Sequence, residues 1–279
     1  MILITDIGKD PDDAFALTYA VIMGLPISDV IITTKESAAS AHICWNILNN
    51  LSDRYPTAKN IKIHAGSIKP VKGDSSFRDN YYHGIFSELG PVPNKFEALK
   101  IQLGDCVIIG PLTDFLELLK NNRARRAVFM AQCRKDHNEI LPDMESYNLR
   151  CDPFATEAAF QFQDRIPYAF IGKNLAYQVP FTTQDIDALE ALSHPVARFL
   201  ADHAYQSFEA FKARMPDLFE KKYKNTNNMS YCYDPLTILA ITNPDLFIFE
   251  KFGRHRIGVS INAARAKETL FSALMNGLN

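Results

Sequence analysis

The stretch TDIGKDPDDA (residues 5–14) places Asp6, Asp10, Asp12 and Asp13 within eight residues. Just before it runs the apolar ILIT (2–5), and overlapping its end runs DAFALTYAVIMG (13–24), apolar at helical spacing, so the stretch reads as the turn between a strand and a helix. Carboxylates this close repel one another unless a cation sits among them or water screens each one separately.

Outward from this turn, strand-like runs alternate with helix-like ones. They are VIITT (30–34), the helix AASAHICWNILNNL (38–51), IKIHAG (61–66), CVIIG (106–110), the helix LTDFLELLKNN (112–122), AVFMA (127–131), the helix PFATEAAFQFQ (153–163) and IPYAFIG (166–172). Such alternation marks βαβ units, so we expect an α/β protein with a mostly parallel central sheet, helices on both faces and a Rossmann-like arrangement. Residues 67–105 interrupt the pattern with an irregular insert carrying SSFRDNYYHGIFSELGPVP, and long irregular loops in compact domains tend to serve function. Residues 184–222 read as helical with a break at Pro195, followed by a helix starting near Asp234, strands at 246–250 and 255–260, and a last helix over 263–276. No repeat or linker interrupts the chain, which predicts one domain over residues 1–279.

Composition narrows the class. At 47% hydrophobic and 22% charged residues the chain can bury a substantial core, and a net charge of -2 recruits neither nucleic acid nor an anionic membrane. A small ligand suits it better. Cys44, Cys106, Cys133, Cys151 and Cys232 are odd in number and never form CxxC, which argues against a disulfide framework and a thiolate zinc site. Met1 leads directly into a strand pattern without a basic leader, and no apolar run approaches a membrane span, so we expect a cytoplasmic protein.

In a parallel sheet, ligands bind beyond the carboxyl ends of the strands. TDIGKDPDDA lies there, as do IIGPLTD (108–114) and the residues after AVFMA, so carboxylates and a Gly-Pro turn are expected at one crevice. Clustered aspartates suit a hard cation such as calcium or magnesium, which takes oxygen ligands. The competing reading is that Asp10 or Asp12 caps the helix while the others are solvated at its favourable end. The chain has no G-x-G-x-x-G, no G-x-x-x-x-G-K-[ST] and no G-x-S-x-G, and no His or Cys pair that would favour zinc. A phosphohydrolase with Asp6 as nucleophile lacks its second aspartate, because Gly8 stands there. Metal-assisted hydrolysis remains.

The ordered motifs TDIGKDPDDAFAL, IKIHAG, HGIFSELG, IIGPLTD, ESYNLRCDPFATEAA and YDPLTILAITNPDLF resemble those of the calcium-dependent, inosine-uridine-preferring nucleoside hydrolases, from residue 2 to about residue 260. The resemblance implies that family's fold and hydrolysis of the N-glycosidic bond of ribonucleosides or related N-ribosides by a calcium-bound water, within nucleoside catabolism and salvage, in a homodimer or homotetramer. It implies Ca2+ ligands at Asp6, Asp13, Asp234 and the carbonyl of Ile109, with Asp6 also accepting a proton from the attacking water. Asp12 and Asn148 would hold ribose hydroxyls, with Glu145 and Tyr147 beside them; Asp10 either joins the metal's shell or caps the helix. Asp234 could equally cap its own helix, and Tyr231 and Tyr233 could be packing aromatics. His83 is either a surface histidine or a contact to the nucleobase.

The chain also departs from the family. Tyr233 replaces a histidine expected to protonate the leaving base, and a phenol with an ordinary pKa near 10 is a poor match to neutral pH. Ile4 stands in place of an aspartate, KESA (35–38) replaces a segment carrying an asparagine, Glu145 sits one residue further from Asn148, and Asp114 replaces an asparagine. These changes open an alternative in which the same scaffold binds metal and a ribose-containing ligand without efficient turnover.

Overall fold

A computed structural model describes the chain except residues 9, 74–90, 92, 138 and 224–226 and the side chains of 218 and 222. The strands are β1 (Ile2–Thr5), β2 (Asp29–Ile32), β3 (Lys62–Ala65), β4 (Asn94–Lys95), β5 (Gly104–Ile108), β6 (Ala124–Met130), β7 (Cys133–Asp136), β8 (Glu139–Pro142), β9 (Tyr168–Ile171), β10 (Pro180–Thr182), β11 (Asn228–Tyr231), β12 (Phe247–Phe252) and β13 (His255–Ile261). Nine of them form one sheet in the order β12-β13-β9-β6-β5-β1-β2-β3-β4. Every neighbouring pair is parallel except β12 with β13. From β1 the chain adds strands first toward β4, then from β5 in the opposite direction, so the strand order reverses between β1 and β5. That reversal opens a crevice at the carboxyl ends.

The helices are α1 (Asp12–Ile22), α2 (Ser37–Leu51), α3 (Thr113–Lys120), α4 (Tyr147–Arg150), α5 (Pro153–Phe160), α6 (Lys173–Ala176), α7 (Thr183–Glu190), α8 (Pro195–Arg214), α9 (Pro216–Tyr223), α10 (Tyr233–Thr242) and α11 (Ala263–Leu278). Both faces of the sheet are covered, which is why ILIT is apolar without alternation. Leu3, Val30 and Val107 enter a core built with α1, α2, α8, α10 and α11. Ile2, Ile4, Ile31 and Ile108 enter the opposite core with Phe115 and Leu119 of α3 and Phe160 of α5. Ile4 is thus a packing residue, fully buried.

The structure corrects some sequence-level boundaries. The helix expected over 153–163 ends at Phe160, and the segment 184–222 divides into α7, α8 and α9, with Pro195 as the first residue of α8. Residues 67–105 are not wholly irregular, because β4 extends the sheet beside β3 and β5 already begins at Gly104. A two-residue strand carries no readable periodicity. The β7–β8 hairpin and the β10–β11 ribbon were also unanticipated; β7 reads CRKD, too charged and exposed to signal a strand. Among the described residues no helix is long and apolar enough to cross a membrane.

Candidate metal centre and ligand cavity

The site grows from the exit of β1. Thr5 ends the strand, and its hydroxyl donates to the Asp13 carboxylate and accepts from the Ile7 amide at 3.2 Å, which ties strand end to helix start. Gly8 turns the chain at φ 113°, a left-handed conformation that glycine adopts at no steric cost. On the neighbouring strand, a Cβ at Gly110 would lie 2.8 Å from the Asp6 nitrogen. Only glycine lets the exit of β5 press so closely on that of β1, and this places Ile109 and Asp6 on one cavity.

α1 and α10 both begin at this point. Asp12 and Asp13 lie in the first turn of α1 and Asp234 in that of α10, where the partial positive charge of the helix end favours carboxylates. The N-cap residues are Pro11 and Cys232, and neither makes a side-chain cap. The capping role weighed for Asp10, Asp12 and Asp234 is therefore not the one they take.

Oxygen atoms of Asp12, Asp13 and Asp234 all lie within 4.8 Å of one another, and all three residues are buried. Burial, followed by the charges of Asp6 and Asp12, pushes the Asp13 carboxyl well above the usual range, against the lowering effect of the Thr5 hydroxyl. Burial and then Asp12, Asp13, Asp6 and Asp10 push Asp234 up in the same direction. Five carboxylates thus share one field. Oxygens on opposite sides of a calcium ion, each about 2.3–2.6 Å from it, stand about 4.6–5.2 Å apart, so this donor set fits such a cation.

These residues line a cavity of about 660 Å³, a size typical of small-molecule sites. Asp6, Asp10, Asp12, Asp13, Ile109 and Asp234 form its acidic end, and Glu145, Tyr147 and Asn148 reach it from α4 and the turn before it. Asn148 is buried, and its amide donates to the Met130 carbonyl at 3.3 Å, fixing it at the exit of β6. Glu145 lies at the rim, exposed, 3.2 Å from the Lys173 ammonium. Asp10 is exposed at the same cavity's edge. His83 lies outside the described residues.

Another part of the lining is aromatic. Tyr231 and Tyr233 stand 5.9 Å apart between ring centroids, Tyr177 lies 5.1 Å from Tyr231, and Tyr223 lies 5.7 Å from Tyr231. Phe208 and Phe211 of α8 complete this wall. Burial, and then the neighbouring Tyr177 phenol, push Tyr233 far above an ordinary tyrosine. Sequence reasoning missed Tyr177, Tyr223, Phe208, Phe211, Arg150 and Lys173; the density of aromatics over residues 205–233 was the available signal for three of them, Phe208, Phe211 and Tyr223.

Asp114 sits elsewhere. It is buried behind the cavity, accepting from the Thr33 hydroxyl at 2.6 Å, the Ser67 amide at 2.9 Å and the Ser67 hydroxyl at 2.7 Å.

A family model described as inosine-uridine preferring nucleoside hydrolase matches residues 1–272. A pyrimidine-specific ribonucleoside hydrolase RihA of Shewanella sp. (strain ANA-3) is 25% identical over 274 residues, covering 88% of this chain and 79% of the relative. Among solved structures, a purine-preferring ribonucleoside hydrolase from Gardnerella vaginalis superposes with a TM-score of 0.72 at 18% identity, covering 100% of this chain and 99% of that one. The type III effector protein XopQ, in complex with adenosine diphosphate ribose, superposes with a TM-score of 0.80 at 18% identity, covering 100% of this chain and 94% of that one.

Proposed function

Because the chain belongs to the inosine-uridine-preferring nucleoside hydrolase family, whose members are hydrolases acting on N-glycosyl bonds, we propose that it cleaves ribonucleosides to base and ribose at a calcium site formed by Asp6, Asp13, Asp234 and the Ile109 carbonyl. The observation that carries this reading is the buried carboxylate cluster at the reversal of strand order, which is costly to assemble without a cation. When bound, calcium lowers the pKa of a coordinated water and offsets the negative charge of the cluster.

In this reading Asp6 accepts the proton of the attacking water, while Asp12 and Asn148 hold the ribose hydroxyls and fix C1′ over the acidic end. As the glycosidic bond lengthens, C1′ becomes positive and the surrounding carboxylates stabilise it. The aromatic wall receives the base. Tyr233 there holds its proton tightly, so it serves as a hydrogen-bond donor to the departing base rather than as an acid that releases a proton near neutral pH. The XopQ complex supports the idea that this fold accepts a ribosyl ligand.

The test is release of reducing sugar from a panel of nucleosides with calcium present. Release that disappears in Asp6→Asn supports the reading, and no release from any nucleoside at high enzyme concentration overturns it. The raised Tyr233 phenol favours one second reading, in which the site binds metal and ribose without efficient turnover. Thermal stabilisation by ribose with undetectable hydrolysis distinguishes it.

A further inference from the structure

The cavity carries both signs of charge. Besides the five aspartates, Arg150 and Lys173 are the two Lys or Arg side chains among its described lining residues, and both bond to Glu145. Both are supplied by the same carboxyl-end geometry: Arg150 ends α4, two residues after Asn148, and Lys173 opens α6 directly after β9. The Arg150 guanidinium lies 5.5 Å from the Tyr147 ring centre and donates once, to the Glu145 carbonyl at 2.9 Å. Among the described residues it forms no ion pair. Lys173 is held 3.2 Å from Glu145, whose side chain is 79% exposed, and so exposed a pair is readily displaced. Among the described lining residues, Glu145 is thus shared by two cations, and the Arg150 guanidinium has no carboxylate of its own.

We propose that the ligand of this cavity is a riboside carrying a phosphate ester on its primary hydroxyl, with Arg150 and Lys173 binding the phosphate. The inference rests on the nucleoside hydrolase reading above, which places the secondary hydroxyls at Asp12 and Asn148 and the base on the aromatic wall. An anionic group near the secondary hydroxyls would meet the carboxylates. The primary hydroxyl is the remaining point of attachment on the ribose, and Arg150 and Lys173 are the cations the described lining offers to an anion there. A phosphate dianion displaces Glu145 from Lys173 and engages the free donors of the Arg150 fork. In the reaction, the C1′–N bond breaks, water oxygen bonds C1′, one water proton passes to the departing base, and the phosphate ester is untouched. The products are base and ribose 5-phosphate.

The experiment compares each of inosine, uridine, cytidine and adenosine with its 5′-monophosphate as substrate, and ribose with ribose 5-phosphate by calorimetry, all with calcium. The expected result is at least about a tenfold preference for a phosphorylated member, equivalent to about 1.4 kcal/mol. That ratio should fall toward one in the Arg150→Ala, Lys173→Ala double variant, survive in part in Arg150→Lys, and shrink as salt rises. Nucleoside hydrolysis with a ratio at or below one overturns this inference and leaves the parent reading standing. A preference unchanged in the double variant overturns the assignment to these two residues. If no ribosyl compound is hydrolysed or bound, both fall together.

Discussion

Replacing Asp234 by Asn should stabilise the protein when calcium is removed and abolish the stabilisation that calcium gives. Asp234 is the cleanest probe, because every effect on its carboxyl acts in one direction: burial and the charges of Asp12, Asp13, Asp6 and Asp10 all raise it. At the 4.8 Å limit separating the cluster's oxygens, two unit charges repel by about 3.5 kcal/mol at an effective dielectric of 20. A carboxyl under that pressure takes up a proton instead, and this caps its penalty at neutral pH at about 4 kcal/mol, the cost of protonating a group with an unfolded pKa near 3.9. Asn removes the charge and preserves the shape, so we expect a gain of about 1–3 kcal/mol in chelator, or roughly 2–5 °C in Tm for a chain of this length.

The pH dependence has a definite sign. A carboxyl whose folded pKa is raised binds more protons folded than unfolded, so the calcium-free protein loses stability as pH rises from the unfolded value toward the raised folded one. Differential scanning calorimetry in chelator should therefore show wild-type Tm falling between about pH 4 and neutrality more steeply than that of Asp234→Asn. With calcium at a hundred times its Kd the wild type should gain about 2.7 kcal/mol and the variant far less. A variant less stable than wild type in chelator, or equal calcium stabilisation of both proteins, would refute the reasoning.

Three further outcomes can be checked directly. Asp6→Asn should lower kcat by roughly 10²–10⁴ in the nucleoside assay, the range for loss of a positioned general base. Gly110→Ala puts a Cβ 2.8 Å from the Asp6 nitrogen and should cost about 1–3 kcal/mol by urea denaturation while weakening the calcium response. Tyr233→His should raise kcat and add a pH dependence near the ordinary histidine pKa of about 6.5; an unchanged profile would argue that Tyr233 does not face the departing base.

Much of this architecture was legible because its signals are local. ILIT, VIITT and AVFMA are continuous apolar runs because both sheet faces are covered, and TDIGKDPDDA is acidic at the exit of the strand lying beside the reversal of strand order. The aromatic wall was not legible, since Phe208, Tyr223 and Tyr233 come from three separate helices and Tyr177 from the end of a fourth, and they meet only in the folded chain. The two cations of the lining escaped for the same reason. Arg150 and Lys173 lie far apart in sequence, and neither belongs to a basic run.

The protein also contains its own comparison for what a buried carboxylate needs. Asp152, fully buried, accepts from the Val71 amide at 2.8 Å, the Thr113 hydroxyl at 2.8 Å and the Ala155 amide at 3.0 Å. Asp114 likewise draws three donors from Thr33 and Ser67, which explains an acid at a position where the family pattern has an amide: an amide NH2 would confront donors instead of accepting from them. Each of these two is satisfied by neutral donors, as structural carboxylates are. Asp234 is just as deeply enclosed, yet among the described residues no donor reaches its carboxylate and four other acids face it. Among the described residues, donor cages surround Asp114 and Asp152 and none surrounds Asp234. Oxygens of Asp12, Asp13 and Asp234 lie within 4.8 Å of one another, a grouping that suits the ligand chemistry of a hard divalent cation and underlies the calcium site proposed above.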